Sequence, residues 1–148
     1  MIVTRTPFRV TLGGGGTDLP SYYSRYGGFI VSAAINRYVY VMLNRRFEDS
    51  IRVSYSQTEI VNGPDAVEHP IVREALKFTE LGNNLEIVSI ADLPANTGLG
   101  SSCAFTVGLL NALHTMKREH VPPEELAEEA CHIEIERLGE PIGKQDQY

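Results

Sequence analysis

The stretch "PANTGLGSSCAFTVGLLNAL", Pro94 to Leu113, joins a glycine–serine loop to an apolar stripe. Phe105, Leu109, Ala112, Leu113 and Met116 recur at helical spacing, so the loop opens onto a helix N-terminus. The first N–H groups of a helix have no internal partner, and the aligned peptide dipoles place roughly half a positive charge there. Glycines just ahead let the backbone approach a ligand closely. Serines at the helix start either cap it or offer hydroxyls to an anion or its metal. Gly98, Leu99, Gly100, Ser101 and Ser102 thus form a cradle of the kind that holds phosphates. A plain capped helix after a flexible turn uses the same residues, and spacing alone leaves both readings open. Two other phosphate motifs are rejected. A dinucleotide fingerprint needs G-x-G-x-x-G, but Gly98-Leu99-Gly100 is followed by Ser101, Ser102 and Cys103. A Walker loop needs G-x-x-x-x-G-K-[ST]; Gly139 to Lys144 is one residue short and lacks the Ser/Thr.

The elements that must position this loop read as strands first and helices later. Ile2 to Leu12 alternates and predicts a strand running into "GGGGTDLP". "GGFIVSAAI" (Gly27 to Ile35) and "RYVYVMLNRRF" (Arg37 to Phe47) predict two more, and "SIRVSYS" a short fourth. A helix follows Pro70, with Ile71, Ala75 and Phe78 on one face and Gly82 as its C-cap. "NLEIVSIADLP" is the strand that delivers the chain into the loop. "VPPEELAEEACHIEIERLGE" opens on prolines and acids, as a helix does, with Ala127, Cys131, Ile135 and Leu138 as its stripe. The class is α/β or α+β.

Composition narrows the partners. The net charge of −6 argues against nucleic acid or an anionic membrane, whose readers are basic. An apolar share of 43% supports a core. Cys103 and Cys131 are too few for a disulfide scaffold of this length and read as reduced thiols in a cytoplasmic protein. The N-terminus has arginines where a signal peptide needs its apolar core, and no run of about 18 apolar residues spans a membrane. Cys131-His132 is too small a set for a metal. The chain stops at "GEPIGKQDQY" with a loop just made, which predicts the first half of a longer protein.

Three segments in order carry a family resemblance. "PANTGLGSSCA" resembles the P-x-x-x-G-L-G-S-S-A loop of the GHMP kinases, the superfamily of galactokinase, homoserine kinase and mevalonate kinase. "TPFRVTLGGGGTDLPSYY" resembles the family's first motif, and "GKQDQY" resembles the segment carrying its catalytic aspartate. The likeness covers essentially the whole chain, and the glycine run together with "GKQDQY" looks nearest to the D-glycero-D-manno-heptose 7-phosphate kinases, with fucokinase-like enzymes nearby. It implies an α+β fold like ribosomal protein S5 domain 2, with a left-handed βαβ crossover where a right-handed one is the rule. Residues 1–148 would be the N-terminal, ATP-binding domain. A ferredoxin-like domain would lie outside them, and the 148 residues alone would be inactive.

The resemblance also assigns roles. Asp146 matches the catalytic aspartate, and Arg9 the basic residue that pairs with it. Pro94, Gly98, Leu99, Gly100, Ser101 and Ser102 hold the nucleotide phosphates. Ser101 or Ser102 and Glu136 hold Mg²⁺, with Glu134 as the alternative. Asp18 matches a sugar-binding aspartate, while Gly15 and Gly16 replace the Glu-His pair of galactokinase, which opens space and argues against galactose. Lys144 would meet a substrate phosphate. The implied activity is ATP-dependent phosphorylation of the anomeric hydroxyl of a phosphorylated heptose. The alternatives are a fucose or hexose kinase and a non-catalytic nucleotide or sugar module. The expected partners are ATP and a sugar phosphate, not nucleic acid or membrane, with a homodimer left open.

Overall fold

The computed structural model describes residues 1–94 and 97–148. Ala95 and Asn96, within the glycine–serine loop, lie outside the described residues. The element order is β1 (Ile2–Gly13), a 3₁₀ turn (Gly15–Thr17), α1 (Pro20–Tyr26), β2 (Val31–Arg45), β3 (Ile51–Ser54), β4 (Thr58–Val61), a 3₁₀ turn (Pro64–Ala66), α2 (Pro70–Thr79), β5 (Leu85–Ala91), α3 (Ser101–Lys117), α4 (Pro123–Cys131) and a π-helical turn (His132–Arg137). The fold is α+β with one mixed five-stranded sheet, ordered β1-β2-β5-β3-β4. Among the described residues, only β3 and β5 run parallel, and α2 lies on the connection between them.

One face of the sheet carries the core. Thr4 and Phe8 of β1, Val41 and Leu43 of β2 and Ile87 of β5 point inward at alternate positions. Against them lies α3, buried at Leu109, Leu110, Ala112 and Leu113. A helix apolar on most of its circumference belongs inside, and α3 packs on β1, β2, α2 and α4. That burial is what fixes the N-terminus of α3 in space.

Several sequence expectations are revised. The two strands expected over Gly27–Phe47 are one, β2, because its pairing with β1 continues past a register shift between Pro7 and Arg9. Pro7 is tolerated because β1 is an edge strand. Strand β4 and helix α1 add elements that the reading left unassigned. α2 ends on Glu80 in the left-handed region (φ 57°), not on Gly82, because the Leu81 N–H turns back to the Leu76 carbonyl at 3.1 Å. The last helix does not run on as α. Leu138 N–H reaches the Ile133 carbonyl, five residues back, at 3.0 Å. There the inward pair is Ile133 and Glu134, while Ile135 stays partly exposed. Glu134 tolerates burial because polar partners meet it inside.

Candidate active site

The glycine–serine loop ends at a helix start whose N-cap is a glycine. Gly100 is the residue before α3, at φ 79° and ψ 29°, a left-handed conformation open to glycine at little cost. Among the described residues, no side chain caps α3. The N–H of Ala104 is the first to bond within the helix, to the Gly100 carbonyl at 2.9 Å. The preceding N–H groups lie at the positive end of a 17-residue helix, a position that suits an anion.

Arg9 ties the loop to the chain's last turn. Its Nε donates to Asp146 Oδ1 at 2.6 Å, and Nη2 forms an ion pair with the same oxygen. Nη1 donates to the Gly98 carbonyl at 2.7 Å, and the Arg9 backbone N–H to the Leu99 carbonyl at 3.4 Å. One guanidinium thus spans both segments, a task for a fixed fork of donors. The other carboxylate oxygen, Oδ2, faces the loop: a Cβ at Gly100 would lie 3.3 Å from it. Residues 137 positions apart in sequence meet here, as do Arg9 and Gly98 at 89.

Every residue of the turn Lys144–Gln147 is held by a side chain from elsewhere in the chain. Asp18 accepts the N–H groups of Lys144 and Gln145, at 3.0 and 2.9 Å. Thr11 Oγ1 donates to Gln145 Oε1 at 2.9 Å. Gln147 Nε2 donates to Glu134 Oε2 at 2.9 Å and lies 3.3 Å from Cys103 Sγ. Arg9 and Thr11, two apart on β1, both meet this turn just beyond the register shift.

Of the two glutamates, Glu134 faces the loop. It is 1% exposed and accepts from Ser102 Oγ at 3.0 Å. Burial pushes its carboxyl pKa up, and hydrogen bonds from Gln147 and Ser102 oppose that rise. Glu136 points elsewhere, 70% exposed and paired with His132 at 2.7 Å. Around these groups lies a cleft of about 360 Å³, whose lining includes Gly98, Gly100, Ser102, Glu134 and Asp146. From Ser101 and Ser102 a second, more apolar groove continues past Val39, Ile71, Phe105 and His69. The His69 imidazole lies edge-on to Tyr55 at 4.7 Å, and burial lowers its pKa.

The remaining predicted residues fall around the mouth. Pro94 is exposed at the entrance of the loop. Gly15 faces Thr11 and the Gln145 amide, while space beside Gly16 is open. Lys144 is exposed, its ammonium 5.9 Å from the centre of the Tyr23 ring. Sequence reasoning missed Thr11, Gln145 and Gln147 as holders of the turn. Adjacency to Asp146 in "KQDQY" was the one signal for the two glutamines, and Thr11 had none. His114, away from this cleft's lining, lies between Glu119 and Glu129, at 2.8 and 2.9 Å.

This geometry can be set beside known proteins. Residues 69–148 match the family described as GHMP kinases N terminal domain. Over 162 aligned residues the chain is 32% identical to the D-glycero-alpha-D-manno-heptose 7-phosphate kinase of Campylobacter jejuni, covering 99% of this chain and 47% of that protein. A mevalonate kinase of Archaeoglobus fulgidus is 32% identical over 121 residues, 80% of this chain and 41% of its own length. Among solved structures, a D-glycero-D-manno-heptose 1-phosphate kinase from Bacteriodes thetaiotaomicron superposes with a TM-score of 0.90 at 27% identity, over 100% of this chain and 52% of that one. The chain thus spans about half the length of these relatives. Family match, identity and superposition agree, and the chain belongs to the GHMP kinases, as a domain of the family's N-terminal kind.

Proposed function

We propose that the chain forms the nucleotide- and sugar-binding half of an ATP-dependent sugar kinase, acting on the anomeric hydroxyl of a phosphorylated heptose. The observation that carries this reading is the single guanidinium of Arg9 on both Asp146 and the Gly98 carbonyl, beside the N-terminus of α3. Phosphoryl transfer needs in-line positioning and charge balance more than covalent help. The amides at the head of α3 bind the nucleotide phosphates, and the apolar groove past Phe105 and His69 takes the base. The sugar enters from the side of Gly15, Gly16 and Lys144, whose ammonium meets the substrate's own phosphate. Asp146 orients the attacking hydroxyl and accepts its proton as the new O–P bond forms and ADP leaves. Arg9 holds that carboxylate in place and offers positive charge to the transferring group.

The donor set suits Mg²⁺. A hydroxyl and a carboxylate are hard oxygen ligands, and Mg²⁺ takes one or two carboxylates together with substrate phosphates. Ser102 and Glu134 would hold it, since Glu134 is the buried carboxylate on the loop. When bound, the ion neutralises charge on the β- and γ-phosphates. A heptose phosphate is favoured over a free hexose by the likeness to the Campylobacter jejuni protein named for that substrate.

ADP release by the full polypeptide across heptose phosphates, fucose and free hexoses tests the proposal. The heptose phosphate should give the highest kcat/KM. Asp146→Ala should lower kcat by about 10²–10⁴-fold, the usual worth of a positioned general base, while ATP still binds. Near-parental kcat in that variant would refute the assignment.

A further inference from the structure

Asp18 is the residue that the family likeness gives to the sugar, yet its carboxylate is engaged elsewhere. Oδ1 accepts the N–H of Lys144 at 3.0 Å, and Oδ2 the N–H of Gln145 at 2.9 Å. The residue is only 8% exposed. It sits at the end of the 3₁₀ turn, where its own N–H is bonded to the Gly15 carbonyl at 3.2 Å. On the other side of the contact is Gly143. Any Cβ there would collide with the Asp18 carboxylate and with its carbonyl oxygen, so the approach requires glycine. Two consecutive amides on one buried carboxylate form a charge-assisted clamp. The next residue in the chain is Asp146.

We infer that Asp18 is a positioning residue for Asp146. Its carboxylate fixes the backbone of Lys144 and Gln145, so that Asp146 reaches Arg9 through one oxygen and turns the other to the loop. Sugar recognition then belongs to groups at the mouth rather than to Asp18. This rests on the kinase reading for its functional consequence, though not for the clamp itself. A displacement of the order of 1 Å at a reacting group costs about 10²-fold in rate, so a clamp on the backbone next to Asp146 governs kcat without touching substrate.

The test compares the parent with Asp18→Ala and Asp18→Asn in the full polypeptide. It reads kcat, sugar KM, nucleotide affinity, and hydrogen exchange at the Lys144 and Gln145 amides. Asp18→Ala should lower kcat by about 10²-fold with sugar KM and nucleotide affinity unchanged. Asp18→Asn, which keeps one oxygen acceptor, should lose less. Both amides should exchange at least about tenfold faster in Asp18→Ala, as expected for losing a bond to a charged group. Gly143→Ala keeps Asp18 and should reproduce the fall in kcat, because its methyl pushes the turn off the carboxylate. A raised sugar KM at parental kcat would give Asp18 to the sugar and overturn the inference, as would unchanged exchange at the two amides. Failure of the kinase reading looks different: the parent forms ADP with no sugar, and amide exchange then decides on the clamp alone.

Discussion

Arg9 is the residue on which the site closes, since its side chain bridges two segments and its backbone reaches a third point, the Leu99 carbonyl. Its pairing with Asp146 was legible from two separate motifs; its bond to Gly98 was not, because nothing in the string says which carbonyl a fork of donors will meet. The glutamates show a sharper limit. Glu134 and Glu136 are chemically identical and two apart, and only packing sets one beneath Ser102 and the other in solvent. The cysteines carry a residue-scale prediction. Burial pushes the Cys131 thiol up from 9.0 to about 11, and burial with the nearby Glu134 and Asp146 carboxylates pushes Cys103 higher still. Raised thiol pKa values mean less thiolate at any given pH below them. Iodoacetamide labelling of the folded protein at pH 8 should be about 10²-fold slower at Cys131 than in the urea-unfolded chain, and should rise about tenfold per pH unit toward 11. Peptide mapping by mass spectrometry checks this, and fast labelling of the folded state at pH 8 would contradict it.

At the scale of elements, α3 was the most legible and its neighbours the least. Its apolar spacing named the helix, and the glycines named its start, within a few residues. What periodicity could not supply was the fusion of two predicted strands into β2. An unbroken ladder depends on the partner strand, and β1 supplies it across a register shift. Nor could it foresee the π-helical turn after Cys131, which answers to hydrogen bonds five residues back rather than to side-chain pattern. The loop before α3 is where element geometry meets chemistry. Gly100 is left-handed, and a Cβ there would sit 3.2 Å from the Asp146 carboxyl carbon. Gly100→Ala should therefore cost about 1–3 kcal/mol in stability through backbone strain, read as a lowered urea midpoint. It should also lower kcat more than sugar KM, because the methyl presses on the Asp146 carboxylate. A variant with parental midpoint and kcat would show that this conformation carries no constraint.

At the scale of the molecule, the sheet and α3 act as a frame that brings the loop, Glu134 and the final turn to one cleft of about 360 Å³. If that cleft holds Mg-nucleotide, a ligand binding only the folded state stabilises it by mass action, about 2.7 kcal/mol at a hundredfold excess over Kd. The melting temperature of the full polypeptide should rise with a non-hydrolysable ATP analogue plus Mg²⁺. It should rise less without Mg²⁺, and Glu134→Gln should narrow the difference between the two conditions. An equal rise with and without Mg²⁺ in the parent would remove Glu134 from metal binding. Among the described residues, no helix is long and apolar enough to cross a membrane. Residue order alone carried the family, the α+β class, the glycine–serine loop at the head of α3 and the Arg9–Asp146 pair, because these lie in contiguous motifs or recur at a fixed spacing. Three-dimensional packing chose Glu134 over Glu136, turned Asp18 toward the backbone of Lys144 and Gln145, and enlisted Thr11, Gln145 and Gln147. Those choices depend on contacts between segments as much as 134 positions apart, where a side chain's partner is set by the burial and close approach of other elements and not by its own neighbours in the chain.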